Sequence, residues 1–415
     1  MNRLDVAYIL LRFPCLTETF IAEEIRKIQS MGIRVHLYSL LPPKKEPVQS
    51  VSAGLVPQTR FTPQVYTPSL WWAQLCVLRK SPGQYFRLLG ILLSQPAPEL
   101  AAFPKRVMTF LKSIWLAKEI EGTPVKLLHS HFAWLSAAAC MIVSELNGLP
   151  FTITAHAYDI YSKQSDILKL TTTRADRIVT ISDYNKRVML EMNTRLSKEK
   201  IEVIHCGIDL AYFSGINRAT NNGILNITSV GSLLEKKGHA YLIRACQELR
   251  RQGIEFRCVI VGGGGLREQL QELIKELDLE DRVILVGPQT QAWVRDRLRE
   301  SDVFVLACVV TEEGERDGIP VALMEATAMG VPVVCTSVSG IPELIEHEET
   351  GLLVPERDVD ALAAAVSRLS MDGLLRQKLV GKGRRVVVAE FDINKSAAQL
   401  TGMFRRVTGL QGFDV

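Results

Sequence analysis

The sequence predicts an α/β protein whose parallel sheets are divided between two domains. Three observations carry this. Short apolar runs rich in β-branched residues alternate with helical patterns along most of the chain. That is the mark of βαβ units, whose parallel strands need a crossover helix. A length of 415 residues exceeds what one ordinary core organises. The polar run Ser214–Gly223 interrupts the alternation near the middle, as a linker between domains does.

Val6–Leu11 reads as the first buried strand. Thr17-Glu18-Thr19 are helix-entry residues, Phe20, Ile21, Ile25, Ile28 and Met31 keep helical spacing, and Gly32 ends that helix. Val35–Ser39 is the second strand, which puts the Thr17–Thr19 turn at the carboxyl edge of the sheet, where open α/β sheets bind ligands; a plain capping turn is the alternative. Residues 41–70 carry Pro, Ser and Thr without period and read as a loop or lid. From Trp71 to Trp115 aromatic residues (Trp71, Trp72, Phe86) mix with Arg79, Lys80, Arg87, Lys105, Arg106 and Lys112, and Glu99 is the only acid between Pro68 and Trp115. Two readings stay open there: a membrane-surface site, or a helical insertion at about 68–120 packing on the first sheet.

His129-Ser130-His131-Phe132 follows a strand-like Val125–Leu128, and Thr154-Ala155-His156-Ala157-Tyr158-Asp159 follows the strand Phe151–Ile153. Both groups are thereby expected just beyond strand ends, on the ligand edge. A structural role is the alternative, and the spacing matches no compact zinc pattern. Ile178–Ile181 and Ile201–His205 complete the first sheet, with Ser182-Asp183 opening a helix between them.

The second domain starts with the strand Ile224–Val230 and the loop Gly231-Ser232-Leu233-Leu234-Glu235-Lys236-Lys237-Gly238. Glycines let backbone approach a phosphate closely, and a lysine neutralises it; surface loops also carry lysines. A helix His239–Arg251 and a strand Phe256–Val261 precede Gly262-Gly263-Gly264-Gly265. A dinucleotide fingerprint counted from Gly262 needs glycine where Arg267 stands, so that reading fails. Arg282–Gly287 and Val303–Leu306 are further strands, and an acidic loop, Thr311–Asp317, leads into Asp317–Val334. Here Pro320 suits the first turn of a helix, apolar Val321, Leu323, Met324, Ala326, Ala328 and Met329 demand burial, and Gly330 stops the helix before a strand at Val333. Glu325 is the one carboxylate in it and Asp317 lies just before it. Glu325 either bonds backbone nearby or serves a ligand. Two acids framing a helix N-terminus, where free N–H groups attract phosphate, suit a sugar joined to a nucleoside diphosphate. Val359–Met371, Leu374–Glu390 and Ile393–Val407 are expected helices.

The composition of 47% hydrophobic and 23% charged residues is that of a globular chain, and a net charge of +4 is too small to point to nucleic acid. Eight cysteines without a Cys-x-x-Cys pair argue against zinc or a disulfide framework and fit a reducing compartment. Neither a secretory signal nor a span of roughly 20 apolar residues is evident, so a cytoplasmic protein, soluble or lying on a surface, is expected. Neither Gly-x-Ser-x-Gly nor Gly-x4-Gly-Lys-Ser/Thr occurs, which excludes the hydrolase and phosphate-loop kinase patterns.

Asp317–Val334 resembles the Glu-x7-Glu element of the family-4 retaining glycosyltransferases, which have the GT-B fold. Thr154-Ala155-His156 is similar to that family's Thr-Ala-His segment, Gly231–Gly238 to its Gly-Arg-Leu…Lys-Gly loop, and Cys206-Gly207-Ile208-Asp209 to its Asn-Gly-Val-Asp turn. Ser339–Ile345 and Thr350–Val354 resemble it in order. Thr17-Glu18-Thr19-Phe20 is similar to the Ser-Glu-Thr-Phe of bacterial exopolysaccharide glycosyltransferases. The likeness is strong over 224–370, patchier over 1–212 and nearly absent from 41–125.

What the resemblance implies is two Rossmann-like domains facing each other across a cleft: residues 1–212 on the acceptor side, a linker at 213–223, a nucleotide-sugar domain at 224–391, and a C-terminal helix in 392–415 crossing back to the first domain. It implies a donor UDP-, GDP- or ADP-sugar with no cofactor and no metal, and transfer to a glycan or lipid-linked acceptor at the inner face of the cell membrane. Catalytic roles fall to His156 near the donor sugar with Asp159 as companion, Lys237 on the diphosphate, Asp317 on the sugar and Glu325 on the ribose. Gly231, Ser232, Lys237, Gly262, Gly287, Gly318, Ile319, Pro320, Val321 and Glu325 would line the donor. Two positions depart from the family: Ser232 stands for its Arg and Asp317 for its Glu, while Glu312, Glu313 and Glu315 lie at the wrong spacing. A nucleotide-sugar 2-epimerase of the same fold, or a non-catalytic assembly partner, are the alternatives.

Overall fold

The computed structural model describes residues 3–16, 18–43, 49–95, 102–161, 165–215 and 223–410. Thr17, Glu99 and most of the expected linker lie outside them. The chain forms two compact units, Met1–His205 with Asn394–Val415, and Cys206–Ile393.

The first unit is a seven-stranded parallel sheet: β1 (Asp5–Arg12), β2 (Arg34–Leu41), β3 (Thr59–Phe61), β4 (Leu127–His131), β5 (Phe151–Ala155), β6 (Arg177–Thr180) and β7 (Ile201–Val203), ordered β3-β2-β1-β4-β5-β6-β7. β1 shows why its sequence reads as a continuous apolar run. Val6, Tyr8 and Leu10 enter one core and Ala7 and Ile9 the other, so both faces are covered. The helix Thr19–Ser30 supplies Ile21, Ile25 and Ile28 to the first of these cores. The last helix, Ile393–Thr408, adds Ala397, Leu400, Met403 and Phe404 to it.

Two expectations are corrected here, and for 71–115 the helical-insertion reading is the one that forms. The stretch 41–70 is not all loop: β3 pairs with β2, and three residues are too few to show a period. The stretch 71–115 becomes helices Pro68–Lys80, Pro82–Leu93 and Ala102–Ile120, and Tyr85, Leu88, Leu92, Phe110 and Ile114 pack into the sheet's core. Arg106 and Lys112 are buried there rather than displayed, their charges donating to the carbonyls of Gln95 and Leu40. Finally, β4 runs to His131, so His129 and His131 lie within the strand and not beyond it. Two residues apart, they share one face of the sheet.

The second unit is a six-stranded parallel sheet: β8 (Leu225–Val230), β9 (Phe256–Val261), β10 (Val283–Gly287), β11 (Val303–Leu306), β12 (Val333–Thr336) and β13 (Leu352–Val354), ordered β10-β9-β8-β11-β12-β13. Cys258 and Ile260 face one core, Val259 and Val261 the other. Ile208 and Phe213 pack in this unit, and Gly207 is needed where a Cβ would lie 2.4 Å from the Ile393 backbone.

Both sheets are doubly wound. Chain order reverses between β1 and β4 in one, and between β8 and β11 in the other. Crevices beyond the carboxyl ends of strands at such switch points are where open α/β sheets bind ligands.

Candidate active site

In the second unit, the turns after β8, β9 and β10 are stitched side by side. Gly231 N–H donates to Val261 O at 2.9 Å, Gly262 N–H to Gly287 O at 3.0 Å and Leu233 N–H to Gly263 O at 2.9 Å. Gly262 has φ 153°, and a Cβ on it would sit 1.8 Å from Gly231 O, so no larger residue fits. Gly238 has φ 65° and passes as closely to Ala307 O, which ties the loop to the end of β11; Val309 N–H donates to Lys236 O at 3.0 Å. The predicted Gly231, Ser232, Lys237, Gly262 and Gly287 thus share one rim.

Across that switch point Lys237 meets Asp317 in an ion pair, their side chains 14% and 20% exposed. Burial opposes each charge, but each partner outweighs it: Lys237 is raised and Asp317 lowered from its usual range. The second oxygen of Asp317 accepts the Gly318 N–H at 3.2 Å. The helix Val321–Ala328 begins straight after Ile319 and Pro320, and Glu325 is buried on its second turn. His239, which the sequence reading passed over, lies beside Lys237. Burial and that lysine push it down to about 4.

The first unit carries a different constellation at its own switch point. His131, the last residue of β4, places Nε2 2.9 Å from Glu24 Oε1 and Nδ1 3.0 Å from Nε2 of His156, which directly follows β5. Tyr8 donates its hydroxyl to the same Glu24 oxygen at 2.8 Å. Asp159 accepts the backbone N–H of His156 at 2.8 Å and of Ala133 at 2.6 Å, which anchors the turn. Burial raises Asp159 to about 7 against those two bonds. Burial and the neighbouring His131 hold His156 well below the usual histidine range, and the same causes, with His156 added, depress His129. Phe132 adopts φ 67°, rare for a bulky residue, with its ring 4.8 Å from that of His156. A cavity of about 290 Å³ opens beside His131, lined by Arg12, Glu18, Phe132, Trp134 and Tyr158.

Donor atoms of Glu24, His129 and His131 come within 4.8 Å of one another, a spacing a cation tolerates. Each also makes hydrogen bonds within the fold: Glu24 Oε1 and His131 as described, His129 with Thr152 at 2.8 Å and Thr154 at 3.3 Å. Tyr8 and Glu24 are members of this cluster that the sequence alone does not single out. Tyr8 reads only as core. Glu24 had a signal, because it lies three residues after Ile21 and four before Ile28, a polar residue on an apolar helix face.

Comparison with known proteins decides the family. Residues 17–212 match the model of Glycosyltransferase Family 4, and residues 218–386 that of Glycosyl transferases group 1. A protein of Escherichia coli K12, named as the colanic acid biosynthesis glycosyltransferase WcaL, is 33% identical over 96% of this chain and 99% of its own. The chain belongs to glycosyltransferase family 4. The amylovoran biosynthesis glycosyltransferase AmsK of Erwinia amylovora is 43% identical over 50% of this chain and 51% of its own. Among solved structures, Anabaena HepE in complex with UDP superposes with a TM-score of 0.71 at 15% identity, covering 97% of this chain and all of that one. Sucrose-phosphate synthase of Thermosynechococcus elongatus superposes at 0.73 and 18% identity over 99% of this glycosyltransferase and 100% of its own chain. These likenesses establish the GT-B fold.

Proposed function

We propose that the chain moves a sugar from a nucleoside diphosphate sugar to an acceptor hydroxyl, with retention at the anomeric carbon and without a metal ion, in the assembly of an exopolysaccharide or envelope glycan. The observation that carries this is the Lys237–Asp317 pair at the switch point of the second sheet, beside the Gly231–Gly262 rim. In the free enzyme the carboxylate holds the ammonium. A donor diphosphate takes over that charge, and Asp317 is released to accept a hydroxyl of the donor sugar. As the sugar–phosphate bond breaks, the acceptor oxygen bonds the anomeric carbon and its proton leaves with the diphosphate. Lys237 and the amides around Gly318–Val321 stabilise the charge growing on the phosphate. Glu325 holds the ribose, and His156 contacts the donor sugar. The names of WcaL and AmsK support an exopolysaccharide product, and HepE, solved with UDP and with UDP-glucose, makes UDP-sugars the first donors to try.

The test is turnover of a panel of UDP-, GDP- and ADP-sugars by wild type and Glu325→Ala, read as nucleoside diphosphate release. Release from one donor that the variant loses supports the assignment. Release that survives the variant refutes the site, and sugar isomerisation without an acceptor marks an epimerase.

We further propose that the acceptor is reached at the inner face of a membrane. Among the described residues no helix is long and apolar enough to cross one. The helical insertion nevertheless leaves Trp71, Trp72 and Phe86 53%, 61% and 63% exposed, and Arg79 and Lys80 end the helix that carries the two tryptophans. Such a face suits anionic lipid headgroups. Wild type is expected to float with anionic vesicles and Trp71→Ala/Trp72→Ala to float less; equal flotation, or none, refutes it.

A further inference from the structure

We infer that Glu356 and Arg357 are positioning residues for the donor site: together they clamp Val310, where the loop that carries Asp317 begins. The two residues lie between β13 and the helix Val359–Met371. Glu356 Oε2 accepts the Val310 N–H at 2.7 Å, and the Arg357 guanidinium donates through Nη2 to the Val310 carbonyl. Both main-chain groups of one loop residue are thus held by two consecutive side chains. Nη1 of Arg357 also donates to the Tyr241 hydroxyl at 3.2 Å, on the helix His239–Arg251 that follows the lysine loop. A guanidinium and a backbone N–H only donate, so these bonds need no tautomer or charge to be assigned.

Backbone strain marks Arg357 independently. Its φ is 64°, in the left-handed region that a long side chain rarely adopts. Asp358 then caps the next helix, accepting the Ala361 N–H at 2.9 Å. The turn itself asks only for a residue that tolerates positive φ, and glycine does so freely. Arginine is strained there, and its grip on Val310 is what glycine could not supply. Glu356 and Arg357 are 37% and 41% exposed, so neither serves to fill the core.

From Val310 the hold passes to both partners of the Lys237–Asp317 pair. On one side, Val309 N–H donates to Lys236 O at 3.0 Å, next to Lys237. On the other, Thr311 N–H donates to Glu315 O at 2.9 Å and Glu315 N–H to Thr311 Oγ1 at 3.1 Å. These bonds close Thr311–Glu315 into one compact turn, and only Arg316 separates it from Asp317. A shift at Val310 is therefore carried to the carboxylate. The inference rests on the reading that Asp317 meets the donor sugar, and the clamp acts through Asp317.

Arg357→Gly separates the clamp from ordinary packing, because it relieves the strained φ while releasing Val310. Its melting temperature is expected to match wild type or rise, while amide hydrogen exchange quickens across 310–318. A misplacement of about 1 Å costs up to roughly 100-fold in rate, so a loosened loop should lower kcat about tenfold. Donor KM should change little, since the contacts proposed for Lys237 and Glu325 remain. Glu356→Ala is expected to behave likewise, and Glu356→Gln, which keeps an acceptor oxygen, to recover most of kcat. Unchanged exchange at 310–318 in Arg357→Gly overturns the inference, as does a wild-type kcat with those amides loosened. A loss of kcat matched by a lower melting temperature and faster exchange throughout the second unit also overturns it. Asp317→Ala tells these failures from that of the reading beneath. If that variant keeps full turnover while Arg357→Gly quickens exchange at 310–318, the clamp stands and the sugar contact is what fails.

Discussion

The two sheet edges solve the same problem by opposite means. The second unit sets formal charges at its switch point, Lys237 against Asp317, with His239 kept neutral beside them. The first unit sets His131 and His156 at its own, wired through hydrogen bonds to one carboxylate, Glu24, with burial holding His156 uncharged near neutral pH. Charge is what a diphosphate demands of its site, since full charges must be met to leave water. Neutral, directed hydrogen bonds are what hydroxyls and a developing cation demand. The contrast teaches that one topology, the doubly wound edge, leaves the chemistry to the few residues that end its strands.

The sharpest way to break the comparison is to remove the lysine. Lys237→Ala is expected to abolish turnover, by more than about a hundredfold, since a charge-assisted bond to the leaving phosphate is lost along with its neutralisation. It also strands Asp317. With both side chains mostly buried, stability should fall toward the lower end of the 3–5 kcal/mol typical of a broken buried pair, about 3 kcal/mol. Lys237→Ala/Asp317→Ala should recover most of that stability and none of the turnover. Denaturation curves and nucleotide release on the two variants separate the roles. If the double variant regains activity, the pair is structural.

Ser232→Arg sharpens the comparison from the other side by adding charge to the rim. Serine offers no charged planar fork, and one charge-assisted bond gained is worth about 1.5–3 kcal/mol, roughly 10- to 150-fold in donor affinity or rate. Titration of the productive donor should show this gain. An unchanged affinity would remove the Gly231–Gly238 loop from the phosphate site.

How much of this was legible in the sequence follows the same divide. The charged edge was readable because its residues are neighbours in short motifs: Lys237 two residues before a helix, Asp317 just before another and Glu325 within it. What no motif showed is that Lys237 and Asp317, eighty positions apart, hold each other. The neutral edge was half readable. His156 and His131 stood at strand ends, but β4 was placed too early because His129 and His131 interrupt an apolar run while remaining inside it. Glu24 and Tyr8 escaped because each is ordinary for its element, and only the fold brings helix Thr19–Ser30 against β1 and β4. The burial of Arg106 and Lys112 was hidden for a related reason: a charge predicts a surface until a carbonyl is shown to receive it.

The smallest effect is the most diagnostic of the neutral edge. His129 and His156 are held well below the ordinary 6.5, so below that pH the unfolded chain takes protons that the folded first unit refuses. Their contribution to stability is present above pH 6.5 and lost as pH falls. Asp159 acts with the opposite sign: raised from 3.8 to about 7, it keeps in the fold a proton that the unfolded chain releases, so its contribution declines as pH rises between those values. Each group changes the slope of stability by up to about 1.4 kcal/mol per pH unit. Between pH 4.5 and 6, then, Asp159→Asn should steepen the rise of stability with pH by about 1.4 kcal/mol per unit, and His156→Gln should flatten it by the same amount. Hydrogen exchange at first-unit amides measures both, and His239→Gln, which removes the depressed histidine of the second unit, should leave those amides unmoved. If all three variants follow one slope, the first unit does not keep His129 and His156 neutral, and the contrast between the two edges fails at its root.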